Sequence, residues 1–134
     1  MKKVIEIKPY GVKCLFCTTR KEAFNSWKHK DHTEEEVKDM TDFLNGCAGC
    51  TIRFVKNREY IYIVGVFEER LGTISHELQH LTLFIARRCD LVIDLETNNE
   101  HMCYLIGETA DEITEMYLKE WGWVKKPKKK LKGK

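Results

Sequence analysis

Residues 51–89 read TIRFVKNREYIYIVGVFEERLGTISHELQHLTLFIARRC, and the hydrophobic period changes once along them. Thr51 to Val55 and Tyr60 to Phe67 are rich in β-branched and aromatic residues. They flank a polar Lys56-Asn57-Arg58, so the segment predicts a β-hairpin. From Thr73 the spacing lengthens. Ile74, Leu78, Leu81 and Ile85 recur at helical intervals and predict one buried stripe on a helix running to about Arg88.

Working outward, residues 2–19 alternate in the manner of one or two strands, broken near Pro9-Tyr10-Gly11. RKEAFNSWKHK places Ala23, Phe24 and Trp27 at helical spacing. TEEEVKDMTDFLNG puts Val37, Met40 and Leu44 on one face of a second helix, with Thr33 as N-cap and Gly46 as the stop. Beyond Arg88 a loop, CDLVIDLETNN, leads into a long helix from about Asn99 to Trp121, and no internal repeat is visible. The fold class expected is α+β: a small, mostly antiparallel sheet packed on the helix pair, with the two N-terminal helices covering another side.

At 134 residues and 43% hydrophobic composition, the chain suits one compact domain over residues 1–124. The runs of apolar residues are too short to span a membrane, and MKKVIEIKPYGV alternates charge and hydrophobe where a signal peptide would be continuous. A cytoplasmic location without membrane contact is therefore expected, with cysteines as free thiols or metal ligands. Net charge is +2, yet the tail Lys125 to Lys134 holds seven lysines, which leaves the remainder at −5. That tail reads as a disordered solubilising end, with weak contact to nucleic acid as the functional alternative.

His76-Glu77-Leu78-Gln79-His80 carries the chemistry. Histidines at i and i+4 project from one helical face, one turn apart, which is the geometry chelation needs. The glutamate beside the first can act as general base on a metal-activated water. Glu100 is the leading third ligand, because it follows a helix-start signal, ETNN, and the helix dipole favours the anion there. On spacing alone an ordinary helix end is an equal reading. Asp90, Asp94, Glu96 and His101 are the other downstream candidates.

With these residues in place, the chain resembles the gluzincins, the thermolysin-like metallopeptidases. More closely, residues 60–117 resemble small proteins of bacteriophage genomes assigned as metallopeptidases, with a Thr-x-x-His-Glu-x-x-His helix, an acidic loop and Glu-x-x-x-Tyr-Leu-x-Gly. Here the last element is Glu100 to Gly107. The resemblance implies zinc held by His76, His80 and Glu100, and hydrolysis of a peptide or protein substrate with Glu77 as base, in a bacterial host cytoplasm. Thermolysin-like enzymes carry an aspartate four residues after the third ligand, where this chain has Tyr104. Support for a zinc histidine would then come from Asp94 or Asp111. Tyr104 and His101 are the candidates for stabilising the oxyanion. An extended substrate could pair with residues 60–66 if they form an edge strand, although apolar character on both faces favours a central one.

Cys14-x-x-Cys17 and Cys47-x-x-Cys50 form a second constellation. Paired CxxC motifs suggest a four-thiolate structural zinc. Against it, Cys14 and Cys17 would point to opposite faces of a strand, and free cysteine is a common core residue. Cys89 and Cys103 read as buried packing near the site. Beside the peptidase, two further classes fit the sequence: a zinc-binding protein acting by contact on a host factor, and a nucleic-acid-associated zinc protein in the manner of SprT-like proteases.

Overall fold

The structure is a computed structural model that describes residues 1–8, 10–89 and 100–125, without the side chains of 100–106 and 108. It is α+β. In chain order the elements are β1 (Lys2–Ile7), β2 (Val12–Cys17), α1 (Arg20–Trp27), α2 (Glu34–Asn45), β3 (Gly49–Lys56), β4 (Glu59–Val66), α3 (Leu71–Arg88) and α4 (Glu100–Glu120).

One four-stranded sheet runs in the order β1-β2-β4-β3. The β1–β2 and β3–β4 pairs are antiparallel and the central β2–β4 pair is parallel. The parallel pair is what requires a long connection, and α1, α2 and β3 supply it. Asn57 and Arg58 close the β3–β4 hairpin with φ of 52° and 65°, the left-handed pair that a two-residue turn needs to match the strand twist. The polar stretch expected as a turn therefore narrows to these two residues, and Lys56 pairs with Glu59.

Alternation sends side chains to two cores. Ile5, Ile7, Cys14, Phe16, Tyr62, Val64 and Val66 face Ile74, Leu78, Leu81 and Ile85 of α3 and Ile113 and Tyr117 of α4. On the other face, Cys17, Cys50, Ile52 and Ile63 meet Ala23, Trp27 and Leu44 from α1 and α2. Burial of each such aliphatic side chain contributes roughly 1.5–3 kcal/mol, so the sheet holds both helical layers. Tyr117 adds a polar anchor: its hydroxyl, wholly buried, donates towards the carbonyls of Cys17 and Val64 at 3.0 and 3.1 Å.

Both N-terminal helices begin with reciprocal caps, Thr19 with Glu22 and Thr33 with Glu36. Each satisfies two backbone donors that the first helical turn leaves free. Arg20 then ties α1 to the end of α2, donating to the carbonyls of Leu44 and Cys47 at 2.8 and 2.9 Å. No helix among the described residues is long and apolar enough to cross a membrane.

β4 lies inside the sheet, between β2 and β3. Residues 62–65 therefore have ladder partners on both sides and cannot take a further strand. The free edge next to α3 belongs to β3. Given the Lys56–Glu59 closure and the bond from Phe67 N to Ala48 O, ladder bonds fall on the even-numbered residues of β3. Thr51, Arg53 and Val55 therefore turn their N–H and C=O groups to the open edge.

Gly49 sets how closely that edge approaches α3. A Cβ there would stand 2.9 Å from Gly65 O, 2.9 Å from Thr73 Cγ2 and 3.1 Å from Glu77 Cγ. Two of these neighbours belong to α3 and one is strand backbone, so nothing yields easily. Gly49→Ala is expected to destabilise the protein by about 1–3 kcal/mol in urea unfolding. An unchanged midpoint would show that α3 does not depend on this close approach.

Candidate metal centre

α3 buries Ile74, Leu78, Leu81 and Ile85 against the sheet, which leaves His76 and His80 on its outer flank, on the side towards β3. Glu77, one position round the helix from His76, points inward between α3 and β3. The result is a strong contrast in exposure: Glu77 is 4% exposed, whereas the His76 side chain is 68% exposed.

The two imidazoles converge. His76 Nε2 and His80 Nε2 are 3.2 Å apart, with ring centroids separated by 4.8 Å. Two nitrogens each ~2.0–2.1 Å from a tetrahedral ion would stand about 3.3 Å apart, so the spacing matches the bite of a chelate. The same distance also permits a hydrogen bond between the rings, one donating according to its tautomer. Metal binding would replace that bond at little cost in rearrangement.

Glu77 is held by the strand beside it. Thr51 Oγ1 donates to Glu77 Oε2 at 2.6 Å and stands 3.1 Å from the Glu77 carbonyl oxygen. The other carboxylate oxygen, Oε1, is 3.9 Å from His76 Nε2. That is too long for a hydrogen bond, so the imidazole does not occupy it. A carboxylate taken out of water costs several kcal/mol unless compensated, and one hydroxyl compensates only part. A cation between the histidines would supply the rest. The group of His76, Glu77 and His80, with ligand atoms all within 4.8 Å of one another, could hold a metal ion, and neutral imidazole is a common metal ligand.

Thr51 was not apparent from the sequence as part of the site. Its signal was there in retrospect: it alternates with Gly49 and Arg53 on the face of β3 turned towards α3. It supports Glu77, whereas Asp94 and Asp111 were candidates for supporting a histidine. Asp111 is exposed on α4 and lies outside the His76, Glu77, His80 group, while Asp90, Asp94 and Glu96 lie outside the described residues.

Glu100 is the first residue of α4, and its side chain, with those of His101 and Tyr104, lies outside those described. The level of α4 along α3 is set by two contacts. Tyr117 bonds the Val64 carbonyl, and Val64 is the ladder partner of Thr51, which binds Glu77. Thr114 shares a groove with Ser75 and Leu78. The middle of α4, near Ala110 and Thr114, therefore packs along α3.

The four CxxC thiols do not converge. Cys14 sits in the core beneath α3 and α4, whereas Cys17, Cys47 and Cys50 pack on the opposite side of the sheet. Strand alternation is the cause, since residues three apart face opposite ways. Core packing, the favoured reading of these cysteines over a four-thiolate zinc, is what the structure shows for Cys14, Cys17 and Cys50. Cys17 and Cys50 flank Gly65, each its ladder partner from either side. Cys89 is half-buried at the end of α3, away from the histidines. The lysine tail beyond Lys125 lies outside the described residues.

Burial pushes the thiols of Cys14, Cys17 and Cys50 up to about 12. Thiolate is then scarce at neutral pH, and these groups are poor nucleophiles. In the native protein at pH 8, iodoacetamide mapped by mass spectrometry is expected to modify the half-exposed Cys47 well ahead of these three. Early loss of Cys14 would contradict the packing described.

Comparison with protein-family models, with curated proteins and with solved structures gives no match to this chain.

Proposed function

We propose that the protein is a zinc-dependent peptidase of the gluzincin type, related to the small phage proteins its motif resembles. His76 and His80 are the metal ligands, Glu77 is the general base, and Glu100 is the third ligand. The observation that carries this reading is the buried Glu77 carboxylate, fixed by Thr51 on one oxygen and turned towards two converging imidazoles with the other.

Zinc, when bound, supplies a Lewis acid that polarises an amide carbonyl and lowers the pKa of a water. The chain's own residues do the remainder. Glu77 accepts the proton of the attacking water through Oε1 while Thr51 keeps Oε2 occupied, and it then passes that proton to the departing amine. Its burial among apolar neighbours keeps bulk water from competing for the carboxylate. An extended peptide can pair with the outward backbone groups of Thr51, Arg53 and Val55 on β3. Thr51 would then both align the substrate through its backbone and hold the base through its hydroxyl.

The test is hydrolysis of fluorogenic peptide libraries by the zinc-loaded protein. Glu77→Gln is expected to lower kcat by ~10²–10⁴ while zinc content stays unchanged. Thr51→Val is expected to lower it by ~10–100-fold, again with zinc retained, because the base loses its orientation but not its charge. Activity in Glu77→Gln equal to wild type would point to a zinc protein that works by contact.

Glu100→Ala separates the ligand sets. As a third ligand, its loss should weaken zinc affinity by at least about the 10–100-fold typical of outer-shell partners. Unchanged affinity would leave a two-histidine site and remove Glu100 from the account.

A further inference from the structure

At the far end of α3 from the histidines lies a cavity of about 750 Å³, walled by the start of β2, the β3–β4 turn and the end of α3. Arg88, which lines it, is eight residues beyond His80, about 12 Å along the helix. Cations dominate the wall. Lys13, Arg58 and Arg88 line it against a single described carboxylate, Glu59, and none of the three has an ion-pair partner among the described residues.

Two of these cations are positioned by structure that has a cost or a constraint. Arg58 occupies the left-handed region at φ 65°, which a residue with a Cβ adopts unfavourably, while glycine would take it freely. The Arg88 guanidinium stands 5.5 Å over the Tyr60 ring, and Arg53 stacks on the same ring at 5.3 Å. Tyr62 belongs to the same wall. It is 2% exposed, and its hydroxyl is buried with no hydrogen-bond partner. A buried hydroxyl without a partner is uncommon, because its desolvation is uncompensated.

We propose that this cavity is a binding site for a small phosphate-bearing ligand, with Arg58, Arg88 and Lys13 holding the oxyanion and the Tyr62 hydroxyl completing its hydrogen bonds directly or through a water. Guanidinium groups suit the choice of ligand, since their planar fork pairs with phosphate oxygens in a way a lysine alone does not. The volume falls in the range of small-molecule sites. Tyr10 and Tyr60 give the anion's organic part aromatic surface to lie against. This site is independent of the metal chemistry proposed for His76, Glu77 and His80.

Isothermal titration calorimetry on the full chain, with inorganic phosphate and adenosine monophosphate as probes, tests the proposal. Saturable binding is expected, weakened at least tenfold in Arg88→Ala and in Arg58→Gly, and unaffected by His76→Ala. Tighter binding of the nucleotide would identify a phosphomonoester and equal binding a free phosphate ion, either of which supports the site.

Tyr62→Phe separates a binding role from a packing one. It is expected to weaken binding several-fold while leaving the Tm of the ligand-free protein equal or higher, because an unpartnered hydroxyl is removed. Absence of saturable binding, or binding unchanged in Arg88→Ala, would overturn the proposal. So would phosphate binding that appears only when Asp90, Asp94 and Glu96 are neutralised together, for then the cations serve the chain's own carboxylates.

Discussion

One hydrogen bond, from the Thr51 hydroxyl to Glu77 Oε2 at 2.6 Å, joins the edge of the sheet to the helix that carries the histidines. Its consequences run in both directions. It holds a buried carboxylate in place, and it adds to the rotation of α3 that the buried Ile74, Leu78, Leu81 and Ile85 stripe sets, with His76 and His80 on the outer flank and not against the sheet. Gly49 makes the contact possible, because any Cβ there would strike α3 and Gly65 together. The placement of Glu77 therefore rests on a packing constraint at a residue with no side chain.

Much of the fold could be read from the residues because each element carries its own signal. Thr33 and Gly46 bound α2, the Ile74, Leu78, Leu81, Ile85 stripe defines α3, and the polar turn separates β3 from β4. Strand order could not be read in this way. It depends on pairing between segments distant in sequence, and the apolar stretch 60–66 permits either a central or an edge position until β2 is seen to lie beside it. That ambiguity left the free edge beside α3 unassigned; it belongs to β3 and not to β4.

The site was legible to the same degree. Histidines at i and i+4 must share a helical face, so their convergence follows from spacing alone. Thr51 is different. Its contact with Glu77 spans 26 positions, and a threonine in a strand carries no mark that sets it apart from its neighbours. The cysteines show the converse case, in which a familiar spacing is overridden by strand alternation: Cys14 and Cys17 face different cores, so the two thiols of one CxxC do not meet.

Zinc K-edge X-ray absorption on the zinc-loaded protein addresses the central claim most directly. The account predicts nitrogen and oxygen scatterers at ~2.0–2.1 Å, an imidazole signature from two histidines, and loss of that signature in His80→Ala. A sulfur shell near ~2.3 Å, or a spectrum that His80→Ala leaves unaltered, would place the metal elsewhere and contradict it.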